Sequence, residues 1–424
     1  MKNELLYKKP KQKKDTSRQD LVASVIKDFE DRKLKRKSYE LQWRLNAEFL
    51  HGNQNSYVTT MDTLATLGRQ FHWQQREVFN HIAPIIEGRL AKLNDLLENR
   101  HQEGEDEQVA PEVCYVPSAV CRAATQWSEV VGTVFYKIVW NDKRGQVLGA
   151  EEDGALIYQG EAEVIVISPH EIYPDNLEAT NMEEVRNLIH AKELPVEVVD
   201  ELWGIDLSGT EKKTVVVIER YEAPTKLHPN GRLLIVAHDR LAYDGELPFI
   251  NGEDDSRTFP FIRQTSEDYV GSFFGKSIIE RAIPVQRAYN NVKNRKAEFM
   301  ARLACGVLAV EDGSVDLDNL EQDGLAPGKV IVYRQGMSAP TFLDTGSIPA
   351  ELANEEEKLL AEFELISGGG DIARQQFGST SGTALEILVE KDRARLSRTL
   401  SNLQAARAAV NTHIVRLRRQ FGVV

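Results

Sequence analysis

The sequence predicts an α+β fold, with helices and antiparallel strands kept in separate stretches of the chain. Three observations predict it. Apolar residues recur at helical spacing up to about Glu98, short strand-like runs broken by turn residues fill the middle, and long helical patterns return from Gly275 onward around one small β-like module.

Residues 1–20 are polar and lysine-rich, with a basic run from Lys8 to Lys14, and read as a flexible arm. From Leu21 to about Glu98 the pattern is helical: Leu41, Leu45 and Leu50, then Val78, Ile82, Ile85 and Leu90, fall on helical faces. The acidic EGEDEQVAPE at Glu103–Glu112 has no periodicity and reads as a surface loop. A short helix follows, from about Ala119 to Val131. Four runs have strand composition and length: Gly132–Trp140, Glu163–Pro169, Thr214–Glu222 and Leu233–Asp239. Asn141-Asp142, Asp153-Gly154 and Pro229-Asn230-Gly231 supply turns between them. Met182–Leu202 reads as one helical stretch, interrupted near Pro195.

Ser277–Leu303 is a long helical pattern, about 40 Å at helical rise, with a narrow stripe of Val285, Ala288, Val292, Phe299 and Leu303. Pro284 either starts a segment there or kinks it. The β-like runs GVLAVEDG and GKVIVYRQG follow, then a helix over Pro349–Ile366 with acidic first turns, stopped by Gly368, Gly369 and Gly370. A polar, glycine-containing loop leads into a last helix over Thr383–Arg419, roughly 55 Å long, whose stripe is Leu396, Leu400, Leu403, Val410, Ile414 and Leu417. Helices with stripes this narrow either pack on an α+β core or seek neighbouring copies of the chain.

Composition narrows the function. The net charge of -13 argues against a protein that grips nucleic acid tightly, because phosphate contacts dominate such affinity. A surface past which DNA slides remains compatible. No apolar run is long enough to span a bilayer, and the N-terminus lacks the apolar core of a secretory signal. Cys114, Cys121 and Cys305 are too few and scattered for a disulfide framework or a zinc site, which suits a reducing compartment. The histidines show no metal-binding spacing, no nucleophile elbow is present, and no carboxylate pair stands out for acid–base work, so no catalytic residue, metal or cofactor is predicted. The one tempting motif is Gly271-Ser-Phe-Phe-Gly275-Lys276-Ser277. It has three residues between its glycines where a phosphate-binding loop has four, and it reads as a turn capped by Ser277 before a helix. A nucleotide-dependent DNA-processing enzyme built on that motif is the alternative reading. The basic residues of the last helix, Lys391 to Arg419, read mainly as a charged helix face.

Several segments resemble phage portal proteins, in the order in which that family carries them. These are ELQWRLNAEFLHGNQ (Glu40–Gln54), WQQREVFNHIAPIIEGRLAKL (Trp73–Leu93), WSEVVGTVFYKIVWND (Trp127–Asp142), GKSIIERAIPVQRAYNNVKNRKAEFM (Gly275–Met300) and FGSTSGTALEILVEKDRAR (Phe377–Arg395). The resemblance spans about residues 20–419. It implies a wing over 21–275, stem helices over 276–303 and 349–367, a β-containing clip over 304–348, a tunnel loop over 368–382 and a long crown-side helix over 383–424. It also implies a non-enzymatic ring, usually of twelve copies, at one capsid vertex of a tailed phage, assembled in the host cytoplasm. Double-stranded DNA would pass through the ring during packaging and ejection. The terminase large subunit, major capsid and scaffolding proteins and head-completion adaptors would be partners, with no membrane involved. Residues expected near DNA are Arg374, Gln375, Gln376, Ser379 and Thr380 of the tunnel loop, with Arg287 and Lys293 of the stem. Residues expected at the terminase dock are Glu311, Asp312, Asp316, Asp318 and Glu321 of the clip.

Overall fold

The computed structural model describes residues 15–71, 74–103, 116–150, 156–207, 213–316, 330–343, 347, 349–367 and 382–422. The first helix, α1 (Asp15–Leu50), begins inside the stretch expected to be an arm. The helical pattern expected to continue to Glu98 stops at Leu50. Gly52 turns the chain at φ 93°, and the threonine-rich residues after it form a hairpin, β1 (Ser56–Val58) with β2 (Leu64–Thr66). Residues 74–81 are non-helical, and α2 (Ile82–Glu103) starts only where Asn80 caps it. The Asn80 Oδ1 accepts the amides of Ile82 and Ala83 at 3.0 and 3.2 Å.

The remaining elements are α3 (Ser118–Val131), β3 (Thr133–Asn141), β4 (Val147–Ala150), β5 (Leu156–Tyr158), β6 (Glu161–Ile167), β7 (Ile172–Pro174), β8 (Asn187–Pro195) and α4 (Val196–Trp203). They continue with β9 (Thr214–Glu222), β10 (Arg232–Ala237), β11 (Arg240–Gly245), β12 (Phe261–Thr265), α5 (Ile278–Cys305), β13 (Val307–Ala309) and β14 (Thr341–Leu343). Two more helices end the chain, α6 (Ala350–Ser367) and α7 (Gly382–Gln420).

The body is mixed helix and antiparallel sheet, with two sheets face to face: β11-β10-β9-β8-β7 and β12-β3-β6. Side-chain alternation divides each sheet between two cores. Ile189, Ala191, Ile218, Leu234 and Val236 face α1 through Val22 and Val25. Leu188, Val217, Leu233 and Ile235 face inward, toward Phe135, Ile167 and Phe261 of the second sheet. Val134, Tyr136, Ile138 and Trp140 face outward, toward Ala406, Val410, Ile414 and Leu417 of α7. The order of layers is therefore helix, sheet, sheet, helix. Between Leu396 and Leu403, α7 packs instead on Leu93 and Leu97 of α2, so its apolar stripe is satisfied within the chain.

Met182–Leu202 is not one helix: Asn187–Pro195 is a central strand, and only Val196–Trp203 is helical. The strand is covered on both faces, so it lacks the polar–apolar alternation that would reveal it. Val185, Leu188 and Ala191, three residues apart, imitate a helical stripe. Gly132 ends α3 at φ 92°, and a Cβ there would stand 2.5 Å from the Gly275 carbonyl. That close approach brings the start of α5 against the root of β3. Helix α5 begins with a capping box between Ser277 and Glu280 and runs through Pro284 without interruption. No described helix is long and apolar enough to cross a membrane.

Candidate functional site

The far part of α5 leaves the body and pairs with α6. Tyr289 meets Phe363 at 6.0 Å between ring centroids, and Lys293 and Lys296 both reach Glu356 at 3.0 Å, so the two helices run antiparallel. Tyr289, Leu359 and Phe363 form a small core of their own with Ala288 and Val292. His81 stacks on Phe363 and meets Tyr289 edge-on, at 5.1 and 4.6 Å. Burial and the Lys293 charge hold that imidazole below its ordinary pKa. Burial alone would raise the Glu356 carboxyl, but hydrogen bonds from Lys296 and Lys293 outweigh it and leave it lowered. At the end of this helical hairpin β13 pairs with β14. Here Phe342 is 65% exposed and Leu343 54%, while Val330 and Val332 are 82% and 79% exposed.

One face of α5 holds the strap of residues 74–81 by side chains alone. The Gln75 amide donates to Glu298 Oε1, the Glu77 amide to Asn294 Oδ1, the Phe79 amide to Asn290 Oδ1 and the His81 amide to Gln286 Oε1, at 2.9, 3.0, 3.0 and 2.9 Å. In return Asn294 Nδ2 donates to the Glu77 carbonyl, and Gln286 Nε2 to the Phe79 carbonyl. The register is physical: four helical residues rise about 6.0 Å and two extended residues about 6.6 Å. A helix with amides or carboxylates every fourth position thus presents itself to an extended chain much as a neighbouring strand would. The spacing Gln286, Asn290, Asn294, Glu298 is visible in the sequence; what it binds is not.

The residues singled out from the sequence fall on different surfaces. Arg287 donates to the Ser56 carbonyl at 2.9 Å and lies 5.1 Å from the Phe49 ring centroid, facing the first hairpin and α1. Lys293 faces α6. Glu311, Asp312 and Asp316 are exposed beside β13, and Glu311 accepts the Ser338 amide at 2.8 Å. Asp318 and Glu321 lie outside the described residues, as do Arg374, Gln375, Gln376, Ser379 and Thr380. The acidic run Glu355–Glu357 reads from the sequence as a solvated helix face, but Glu356 is turned inward onto Lys293 and Lys296; Lys296 and Arg76 carry no signal in the sequence.

From Ser272, whose amide donates to Tyr269 O, to Ser277 the backbone amides are already committed. Phe273 donates to Leu177 O, Phe274 to Ser272 Oγ, Gly275 to Thr133 Oγ1, Lys276 to Glu267 O and Ser277 to Glu280 Oε1. The Lys276 ammonium sits 3.7 Å from the Tyr269 ring centroid. A phosphate cradle needs converging free amides, and these are not free.

Between the two sheets lies a buried ionic node. Lys137 Nζ and Tyr221 Oη each donate to Glu219 Oε2 at 2.6 Å, and His190 Nδ1 lies 3.2 Å from the same oxygen. His190 Nε2 is 3.3 Å from Glu171. Burial would raise the Glu219 carboxyl, but Lys137 and His190 more than offset it and hold it well below the carboxylate range. Every member sits on a β-strand or its flank between packed sheets, so the node fastens the sheets together. No group of three or more potential metal ligands occurs among the described residues. No family model matches the chain, and no curated protein matches it.

Proposed function

We propose that the chain is a portal subunit of a tailed phage. It would assemble as a ring of about twelve copies at one capsid vertex, pass double-stranded DNA inward during packaging and outward during ejection, and have no catalytic activity of its own. One observation carries the reading: an antiparallel helical pair leaves a self-contained body and ends in a β pair whose apolar side chains, Phe342 and Leu343 among them, find no cover within the described chain. Isolated surface apolar residues need no explanation, but a cluster on a projecting element points to a partner. In a closed ring the partner is the next copy. The resemblance of the five segments quoted above supports the same reading. The exposed carboxylates of Glu351 and Glu355, one turn apart on α6, suit a channel that duplex DNA traverses without lasting phosphate contacts.

In this reading the β13–β14 end docks the terminase large subunit and later the head-completion adaptors, while the body meets capsid and scaffolding proteins. Native mass measurement and negative-stain images of the purified chain test it. A ring with a central hole is expected; a stable monomer or dimer across salt conditions overturns it. Exchanging Asp316 and Asp318 together for Asn tests the dock: weaker terminase binding with the ring intact is expected, and unchanged affinity places docking elsewhere.

A further inference from the structure

A cavity of about 300 Å³, lined mainly by residues with polar side chains, lies between the strap, the β1–β2 hairpin and the middle of α5. Arg76 and Arg287 both line it, with the amide side chains of Asn55 and Asn291. The Arg76 Nε is buried and has no hydrogen-bond partner. The two acidic residues that flank it on the ladder are engaged: Glu77 pairs with Arg69 at 3.1 Å, and Glu298 accepts the Gln75 amide. Leaving a cationic donor buried without an acceptor is costly.

We propose that this cavity is an oxyanion site that takes a phosphate group, with Arg76 as its principal ligand and Arg287 as the second. The chemistry favours phosphate over carboxylate. One guanidinium fork saturates the two oxygens of a carboxylate, whereas a tetrahedral phosphate offers oxygens to two forks and to amide donors as well. The site is preorganised. The residues on either side of Arg76 are pinned to α5 through Glu298 and Asn294, and Arg287 is held by Ser56 and Phe49. Fixing both cations before the ligand arrives lowers the ordering cost of binding. The phosphate could come from a small molecule or from a nucleic-acid backbone, and the inference does not depend on the portal reading.

Calorimetric titration of the full chain at low salt with inorganic phosphate, malonate and a short DNA duplex tests the assignment, using wild type, Arg76→Gln and Asn294→Ala. Inorganic phosphate should bind the wild type more tightly than malonate does. Its affinity should fall about tenfold or more in Arg76→Gln, with thermal unfolding of that variant unchanged. Asn294→Ala, which loosens the strap without touching a cation, should weaken phosphate binding by a smaller factor. If the duplex loses affinity in parallel in Arg76→Gln, the phosphate belongs to nucleic acid; if only inorganic phosphate responds, it belongs to a small molecule. Phosphate binding that is absent, unaltered in Arg76→Gln or matched by malonate overturns the proposal.

Discussion

The layered body and the α5–α6 projection solve the problem of burial in opposite ways. In the body every face of each main sheet is covered from within the chain: α1 on one side, sheet against sheet in the middle, α7 on the other. Even the polar and charged groups left between the sheets, Lys137, His190 and Glu219, are partnered there. The projection has a core of only a few residues around Tyr289 and Phe363, held further by amide side chains and by the Lys293–Glu356–Lys296 cluster. Its β tip leaves apolar side chains in water. On the reading proposed above, a neighbouring copy or a partner completes the projection, and the difference would separate the part of the chain that carries its own stability from the part that carries its contacts.

The sharpest way to break that contrast is to remove a charge from the middle of the body. Lys137→Ala leaves Glu219 buried without its strongest partner, and unfolding free energy should fall by about 3–5 kcal/mol, read from urea denaturation. The pH dependence has a definite sign. The folded-state pKa of Glu219 is depressed, so its contribution is present above the ordinary glutamate value near 4.5 and is lost as pH falls through the acid range below it. Lys137→Ala should flatten that acid slope; an unchanged slope would show that the node does not stabilise the body.

A smaller effect is expected at the junction of body and projection. Asn290→Ala removes the acceptor of the Phe79 amide and the donor to Gln54, and should cost about 1–3 kcal/mol. Hydrogen exchange should localise the loss to residues 74–81 and leave the sheets protected.

His413 on α7 tests the outer face of the body. Burial and Arg416 lower its pKa to about 4 from 6.5, and its Nδ1 is buried without a partner. Because the folded value is depressed, the unfolded chain takes up a proton first, so stability falls as pH drops from about 6.5 toward 4. His413→Phe should reduce the change in melting temperature across that window.

The least costly substitution should be in the projection itself. Glu356→Ala removes a surface cluster and should cost less than about 1 kcal/mol, less again at high salt. A loss approaching that of Lys137→Ala would mean that the projection is a stability element after all.

Elements whose pattern is repetitive and local are legible in the sequence alone. The stripe of α7 from Leu396 to Leu417, the capped start of α5 at Ser277 and the β9 run Thr214–Glu222 are written in spacing and residue type, because a helix or a one-run strand is specified by neighbours in the sequence. The strap carries a helical signal in the sequence because Val78, Ile82 and Ile85 fall at helical spacing. Its actual partners, Gln286 to Glu298, lie more than two hundred residues away. Strand β8 is hidden in the sequence because burial on both faces erases the alternation that marks a strand. Of the basic residues singled out for DNA, Arg287 and Lys293 share a helix but point to different neighbours. A helical position six residues on is rotated well away from the first.

By itself, then, the sequence determined helices α3, α5, α6 and α7 and strands β3, β6, β9 and β10, where α5 and α7 start, and that Gly271–Ser277 has the wrong spacing for a phosphate loop. Only the tertiary structure decided that two sheets stack with an ionic node between them, that an extended segment lies along α5, and that Arg76 and Arg287 line one cavity. The physical reason is the range of the interactions. Backbone propensity and capping act within a few residues, while burial, ion pairing and side-chain ladders depend on where distant parts of the chain are brought together.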